Sequence, residues 1–280
     1  MAEASLTPVA EPKPLSSRLR KQLRYYLPTV LIALSVLVVW ELVVRIFNIQ
    51  QFFLPRPSAI LEQFLNELSG GMQSILVQAT GATLYEAVGG FCLGCGAGVL
   101  IALVTARWTI ISEALMPLAI AANSVPIIAF APITNNWFGP INPASKMAIV
   151  AIIVFFPTMI NTVRGLTLVE PRQLELMQSY AASEWKVLWS LRIPNALPYI
   201  FAALRVATAL SIIGAVVGEF FGGTRATLGV YITQEAAAFD FARAWTGIIM
   251  ASLIGILFYL VVLLVERWAM PWHVSFREGT

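Results

Sequence analysis

Trp245 to Val265 reads WTGIIMASLIGILFYLVVLLV, 21 residues without one charged side chain. Roughly 20 apolar residues in a helix, at about 1.5 Å each, cross the hydrocarbon of a bilayer. Comparable segments are Leu27–Phe47 and, approximately, 80–105, 111–133, 147–165 and 197–221, which makes six. Pro117, Pro126 and Pro132 interrupt the third of these, and such breaks survive in a membrane only where other helices or a wet cavity satisfy the freed backbone groups. The wider composition agrees. Hydrophobic residues make up 58% of the 280 and charged residues 12%, against about 25% charged in soluble domains. Such a chain cannot clothe a water-facing surface. The reading is an all-α, polytopic helical bundle in a lipid bilayer. Disorder, a disulfide-stapled secreted domain and nucleic-acid binding are excluded, because a net charge of +3 forms no basic stripe.

The charges that remain set an orientation by the positive-inside rule. Lys13, Arg18, Arg20, Lys21 and Arg24 precede the first span. Six spans then place 106–110, 166–196 and the C-terminus on the same side, with Arg107, Arg172, Lys186, Arg192, Arg267 and Arg277. The other side receives only Arg56, Lys146, Arg225 and Arg243, with Arg45 at the membrane edge. Both termini are expected to be cytoplasmic. The chain divides into an N-terminal tail (1–26, its first 17 residues read as disordered), a membrane domain (27–268) and a C-terminal tail (269–280). Residues 57–68 place Ile60, Leu61, Phe64, Leu65 and Leu68 on one face, as in a short helix lying on the outer surface.

Enzyme chemistry finds little support. The single histidine, His273, sits in the tail, which leaves no Ser-His-Asp triad and no histidine-rich metal site. Cys92 and Cys95 are spaced as C-x-x-C, but inside a glycine-rich span where Gly90, Gly94 and Gly98 form a face that lets another helix approach closely. Gly89 and Gly94 stand at P-loop spacing, yet Cys95 and Gly96 follow where Lys and Ser/Thr are required. If ATP is used, another chain binds it.

Ionisable residues within spans carry more weight, since charge at membrane depth is costly. Glu41 and Arg45 are spaced to pair along one helix. Glu86 and Glu113 are placed near the inner ends of their spans, within reach of water. Arg205 and Glu219 are fourteen residues apart, about 21 Å along one helix but on a shared face. They read either as a polar stripe facing a pathway or as partners of neighbouring helices.

The longest inner connection, 166–196, is not linker-like. Pro171 suits a first helical position. Leu174, Met177, Ala181, Trp185 and Leu188 recur at helical spacing, with stops at Pro194 and Pro198. A short amphipathic helix pair is expected, either docking onto a partner protein or anchoring the loop in lipid.

This stretch resembles the cytoplasmic motif of bacterial ABC importer permeases: Glu-Ala-Ala, three residues, Gly, nine residues, Ile-x-Leu-Pro. Here it reads Glu175-Leu176-Met177, then Ala181, then Leu191-Arg192-Ile193-Pro194, with every spacing kept. Leu176 and Met177 replace the two alanines, and Ala181 the glycine. Tyr180-Ala181-Ala182-Ser183 is similar to the Leu-Gly-Ala-Ser of the nitrate/sulfonate/bicarbonate (taurine) branch. So are Pro126 to Pro132 with Trp137-Phe138-Gly139 and Ser145-Lys146. Phe156-Pro157 with Asn161-Thr162 and Gly165, and Gly218-Glu219-Phe220 with Leu228-Gly229, fit the same branch. Glu266-Arg267 and Pro271-Trp272-His273 also occur in related permeases linked to pyrimidine precursors or riboflavin.

The resemblance implies a type I ABC importer permease fold in the cytoplasmic (inner) membrane of a prokaryote. It implies a homodimer, for which the Gly90/Gly94/Gly98 face is the expected contact. Two ATPase subunits, using ATP and Mg, and an extracytoplasmic solute-binding protein complete the assembly. This chain itself binds no cofactor or metal and catalyses no reaction. Glu175, Leu176, Met177, Ala181, Ala182, Ser183, Leu191, Ile193 and Pro194 are expected to couple to the ATPases. A central path is expected along the broken third helix and the fifth. Asn123, Ser124, Thr134 and Asn135 either offer hydrogen bonds there or cap broken helix ends, and Phe130 stands as a gate. Arg205 and Glu219 are the candidate pathway charges. The solute is expected from the nitrate, sulfonate, taurine or bicarbonate class, or as a pyrimidine or riboflavin-type vitamin precursor. A passive channel, or another membrane protein with an interfacial loop, stands as the alternative.

Overall fold

The computed structural model describes residues 15–105 and 108–271. Their regular structure is helical: α1 (Leu15–Ile46), α2 (Pro57–Ser69), α3 (Ile75–Thr105), α4 (Thr109–Asn123), α5 (Ala131–Phe138), α6 (Pro143–Thr167), α7 (Pro171–Ser179), α8 (Glu184–Val187), α9 (Ile193–Phe220), α10 (Leu228–Ala237) and α11 (Phe241–Ala269). Lys13, Arg107, Trp272, His273 and Arg277 lie outside the described residues, as do the side chains of Arg18, Arg20, Lys21, Arg24 and Glu113. α1 is already helical from Leu15, where disorder was expected through residue 17, and its apolar stretch begins at Leu27.

Among the described residues five helical runs are long and apolar enough to cross a membrane: Leu27–Ile46, Ile75–Thr105, Pro143–Thr167, Glu184–Phe220 and Phe241–Ala269. The proline-interrupted segment becomes two pieces, Met116–Asn123 and Ile127–Phe138, bent by 78°. Packing decides whether this pair crosses. Along α3, Gly90, Gly94 and Gly98 meet Val150, Ala151 with Val154, and Phe155 of α6 in the same order, so α3 and α6 run parallel. Two parallel neighbours require the chain between them to return through the full thickness, so the bent pair is a sixth crossing. α9 runs against α6, with Gly165 beside Ala196 and Gly218 beside Ile149. α11 runs against α9, with Arg205 beside Glu266. The 168–192 loop and the end of α11 therefore share one end of the bundle, the loop end. α2, α10 and the α5–α6 turn occupy the opposite end.

Proline and capping residues explain the breaks. Pro57, Pro143 and Pro171 stand in first turns, where a missing N–H costs nothing. The Asn142 side chain accepts from the Ala144 amide and opens α6, and Asp240 accepts from the Arg243 amide and opens α11. The stops expected at Pro194 and Pro198 do not occur, since both lie within α9. Leu188–Arg192 widens into a π-helical turn, and α8 continues through it into α9. A proline ring clashes with the carbonyl four residues back, and the wider turn gives it room.

α6 is the central helix, and small residues let its neighbours reach its backbone. A Cβ on Gly94 would overlap the Ala151 carbonyl, and one on Gly98 would stand 2.9 Å from the Phe155 carbonyl oxygen. This corrects one expectation: the Gly90/Gly94/Gly98 face is occupied within the chain by α6 and is not free to pair with a second copy. Cys95 is buried on the same face and accepts from Thr158 Oγ1 at 3.4 Å, while Cys92 is exposed. α2 uses only part of its apolar face. Ile60 is buried and Phe64 packs on the core, whereas Leu61, Leu65 and Leu68 stay exposed. α1 stands apart, with 6% of its apolar window buried, held by Trp40 against Trp245 and by Glu41. Glu41 accepts from Arg45 as expected, and also from the amide and hydroxyl of Ser58.

Gly94→Val is expected to cost about 1–3 kcal/mol of bundle stability, since it drives a side chain into backbone that cannot yield. Gly96→Val, two residues on, meets open space and leaves stability unchanged. Thermal unfolding of both variants in detergent checks this, and equal melting would contradict the packing.

Candidate functional site

The loop end carries the first candidate surface. α7 closes in a Schellman turn: the Ala182 amide donates to Met177 O at 3.0 Å and the Ala181 amide to Gln178 O at 2.9 Å. That turn requires a left-handed residue, and Ala181 takes φ +48°. The resembled motif has glycine at this position, which reaches the same backbone without a Cβ penalty. The Ser183 hydroxyl then accepts from the Lys186 amide and opens α8.

The expected face along α7 and α8 is reshaped by this turn. Leu174, Met177, Ala182, Leu188, Leu191, Ile193 and Pro194 are half-buried, while Glu175, Leu176, Ala181, Ser183 and Trp185 are exposed. Tyr180 is 77% exposed and Trp189 64%. An apolar cavity of about 330 Å³ lies beneath, between Leu103, Val104 and Trp108 at the end of α3 and Trp185, Leu188 and Trp189. Asn195, which motif reading passed over, ties the loop shut. Its Nδ2 donates to Gly165 O at 2.8 Å and to Leu168 O at 2.9 Å, joining the start of α9 to the end of α6. It directly follows the motif proline, and that position was its one visible signal.

The opposite end holds a buried polar cluster built from four helices. Thr83 of α3 donates to Glu219 Oε1 at 2.7 Å. The same hydroxyl accepts from the Leu228 amide at 2.9 Å, and Glu219 Oε2 accepts from the Gly229 amide. The first two amides of α10 are thus capped by side chains of α3 and α9, because Thr227 makes no side-chain cap of its own. Lys146 Nζ donates to the Pro140 carbonyl and stands within electrostatic reach of Glu86 and Glu219. Exposures are 0% for Thr83 and Lys146, 1% for Glu219 and 3% for Glu86.

Two expectations change here. Glu86 is not solvated near the inner end of its span: it lies toward the opposite end, buried, with an Oε2 that accepts no hydrogen bond from the described residues. Lys146 is not a surface charge, because α6 begins at Pro143 and carries the ammonium into the bundle. Arg205 and Glu219 find separate partners on neighbouring helices. Arg205 pairs with Glu266 of α11 at 3.0 Å, far from Glu219.

The broken crossing distributes the other candidates. Asn123 and Ser124 are exposed at the bend, and Ser124 donates back to Ile120 O. Phe130 is half-buried. Thr134 is buried and donates to Ala131 O, and Asn135 Nδ2 donates to Phe221 O at 3.1 Å, which ties α5 to the loop after α9. Above the cluster, burial pushes the Tyr231 hydroxyl of α10 up to about 12, and it shares a hydrogen bond with Thr246 of α11. Among the described residues no group of three His, Cys, Asp or Glu side chains is arranged to hold a metal.

Residues 94–271 match the family described as binding-protein-dependent transport system inner membrane component. The riboflavin transport system permease protein of Chloroflexus aurantiacus is 32% identical over 264 residues, covering 93% of this chain and 97% of the relative. The formylaminopyrimidine transport permease protein of Halalkalibacterium halodurans is 31% identical, covering 86% and 93%. The taurine transport system permease protein of Escherichia coli is 28% identical, covering 85% and 86%.

Replacing Ala181 by glycine is expected to relieve about 1 kcal/mol of left-handed strain. Limited proteolysis of the folded protein should then cut the 179–184 turn more slowly. Faster cutting would mean that the turn is not strained as described.

Proposed function

The chain belongs to the binding-protein-dependent transport system inner membrane components and is the permease subunit of an ABC importer; from that premise we propose that α7, α8 and the π turn are its coupling element. The observation that carries this reading is the exposed apolar surface of Leu176, Tyr180, Trp185 and Trp189 at one end of the bundle. Such a surface suits insertion into a groove of a partner protein. The partner is an ATPase subunit, which binds ATP and Mg; this chain holds neither. Glu175, Leu176, Met177, Ala181, Ala182 and Ser183 form the contact, and Leu191, Ile193 and Pro194 root it in α9. The loop end is cytoplasmic, in line with Arg172, Lys186, Arg192 and Arg267 lying there. The opposite end then receives an extracytoplasmic solute-binding protein in the inner membrane of a prokaryote.

Two copies of the permease and two ATPase subunits complete the assembly. Closure of the ATPase pair moves the coupling elements, and the bundle alternates between outward and inward openings. The bend of the broken crossing lines the path. The exposed Asn123 supports this, since a polar side chain at membrane depth calls for water or a polar solute. Phe130, half-buried past the bend, is the gate.

The solute is a neutral or weakly charged heteroaromatic vitamin precursor in preference to a small anion. Of the three relatives above 30% identity, two carry riboflavin and formylaminopyrimidine in their names and the third names no solute. The two deep basic side chains, Lys146 and Arg205, face carboxylates, so neither is presented to an anion.

Glu175→Lys and Ala181→Trp are each expected to abolish uptake while the chain still inserts in the membrane. Unchanged uptake in both would overturn the coupling role. Calorimetric titration of the cognate binding protein with riboflavin, a formylaminopyrimidine and taurine tests the solute class, and tight binding of taurine alone would reverse it.

A further inference from the structure

Glu219 reads from sequence as a candidate pathway charge, yet both oxygens of its carboxylate are engaged within the bundle. Oε1 accepts from Thr83, and Oε2 accepts from the Gly229 amide. The residue is 1% exposed. Its two donors belong to different elements, α3 and the first turn of α10. A carboxylate at a helix N-terminus answers both the orphan amides and the positive end of the helix dipole. Here that carboxylate comes from another helix. Gly229 makes the approach possible, because a Cβ there would overlap the Val216 carbonyl and stand 2.7 Å from the Glu219 Cβ. The separated pieces Gly218-Glu219 and Leu228-Gly229 are thus the two halves of one tertiary cap.

The surroundings tie further segments to the same point. Thr83 relays between Glu219 and the Leu228 amide. Lys146, beside both Glu219 and Glu86, holds the Pro140 carbonyl in the turn that ends the broken crossing. Asn135 holds Phe221, and a Cβ on Gly222 would stand 3.0 Å from Pro140. By contrast α4, beyond the bend, meets the core through the apolar Met116 and Ala119.

We infer that Glu219 is a positioning residue for transport and not a solute contact: with Thr83 it caps α10 across helices, so that the ends of α3, α5, α6, α9 and α10 move as one body. This rests on the importer reading for its effect on uptake, but the cap itself is read independently of transport.

The experiment compares Thr83→Val, Thr83→Ser, Glu219→Gln and the double variant Thr83→Val/Glu219→Gln in the assembled transporter. Hydrogen exchange is followed at the Leu228 and Gly229 amides, and uptake is measured against solute-loaded binding protein. Losing a buried cap is expected to speed exchange at these amides about tenfold in Thr83→Val and in Glu219→Gln. Maximal uptake falls in both, with the half-saturating concentration unchanged. Thr83→Ser, which keeps the hydroxyl, restores both readouts. The double variant is no worse than the poorer single one, because both residues serve one cap. A raised half-saturating concentration in Glu219→Gln with Thr83→Val behaving as wild type would make Glu219 a pathway contact and overturn the inference. So would unchanged exchange in both single variants. If Glu219→Gln fails to assemble, the Val against Ser comparison at Thr83 decides alone. Lack of uptake by the wild-type protein would count against the importer reading and leave the exchange result standing.

Discussion

Helices in a bilayer cannot be held together by expulsion of water from their apolar faces, because the surrounding lipid is equally apolar. What remains is close contact and polar pairing, and here both converge on α6. Gly94 and Gly98 of α3 press onto its carbonyls from one side, and Gly214 and Gly218 of α9 approach Val150, Ile153 and Ile149 from the other. Nothing larger would fit beside the carbonyls, whereas at Gly214 and Gly218 the tips of Ile153 and Ile149 would have to give way. The parallel run of α3 and α6, the obligatory return through the bent crossing, and the burial of Lys146 all follow from this three-helix contact.

With the middle of the bundle packed this tightly, polar function is displaced to the two ends. The loop end closes through Asn195, which satisfies carbonyls at the end of α6, and then exposes aromatic side chains on a strained turn. The opposite end closes inward, around a carboxylate that accepts from two elements. One end leaves its aromatic side chains exposed and the other turns its polar groups inward. Arg205 and Glu266 form a separate brace between α9 and α11.

Much of this was legible in residue order. Apolar run lengths set the number of crossings, and Pro117, Pro126 and Pro132 marked the one that bends. Motif spacing located the loop and aligned Ala181 with the glycine of the resembled motif, while its left-handed backbone showed only in the structure. Other parts were hidden for a physical reason: a sequence shows which residues share a helix face, not which helix meets that face. The glycine face of α3 was therefore assigned to a second copy, although α6 already fills it. Lys146 looked like an exterior charge because its carboxylate partners lie 60 and 73 residues away in the chain. Pro194 looked like a stop because the π turn that accommodates it leaves no compositional trace.

That π turn has a mechanical consequence. By absorbing the proline it leaves Glu184 to Phe220 as one continuous helical run, and at about 1.5 Å per residue Trp185 and Glu219 are roughly 50 Å apart measured along it. A helix is stiff along its own axis. On the proposed mechanism, a push delivered at the aromatic tip needs no relay of rearranging side chains to reach the far cap, since both are fixed to the same strut.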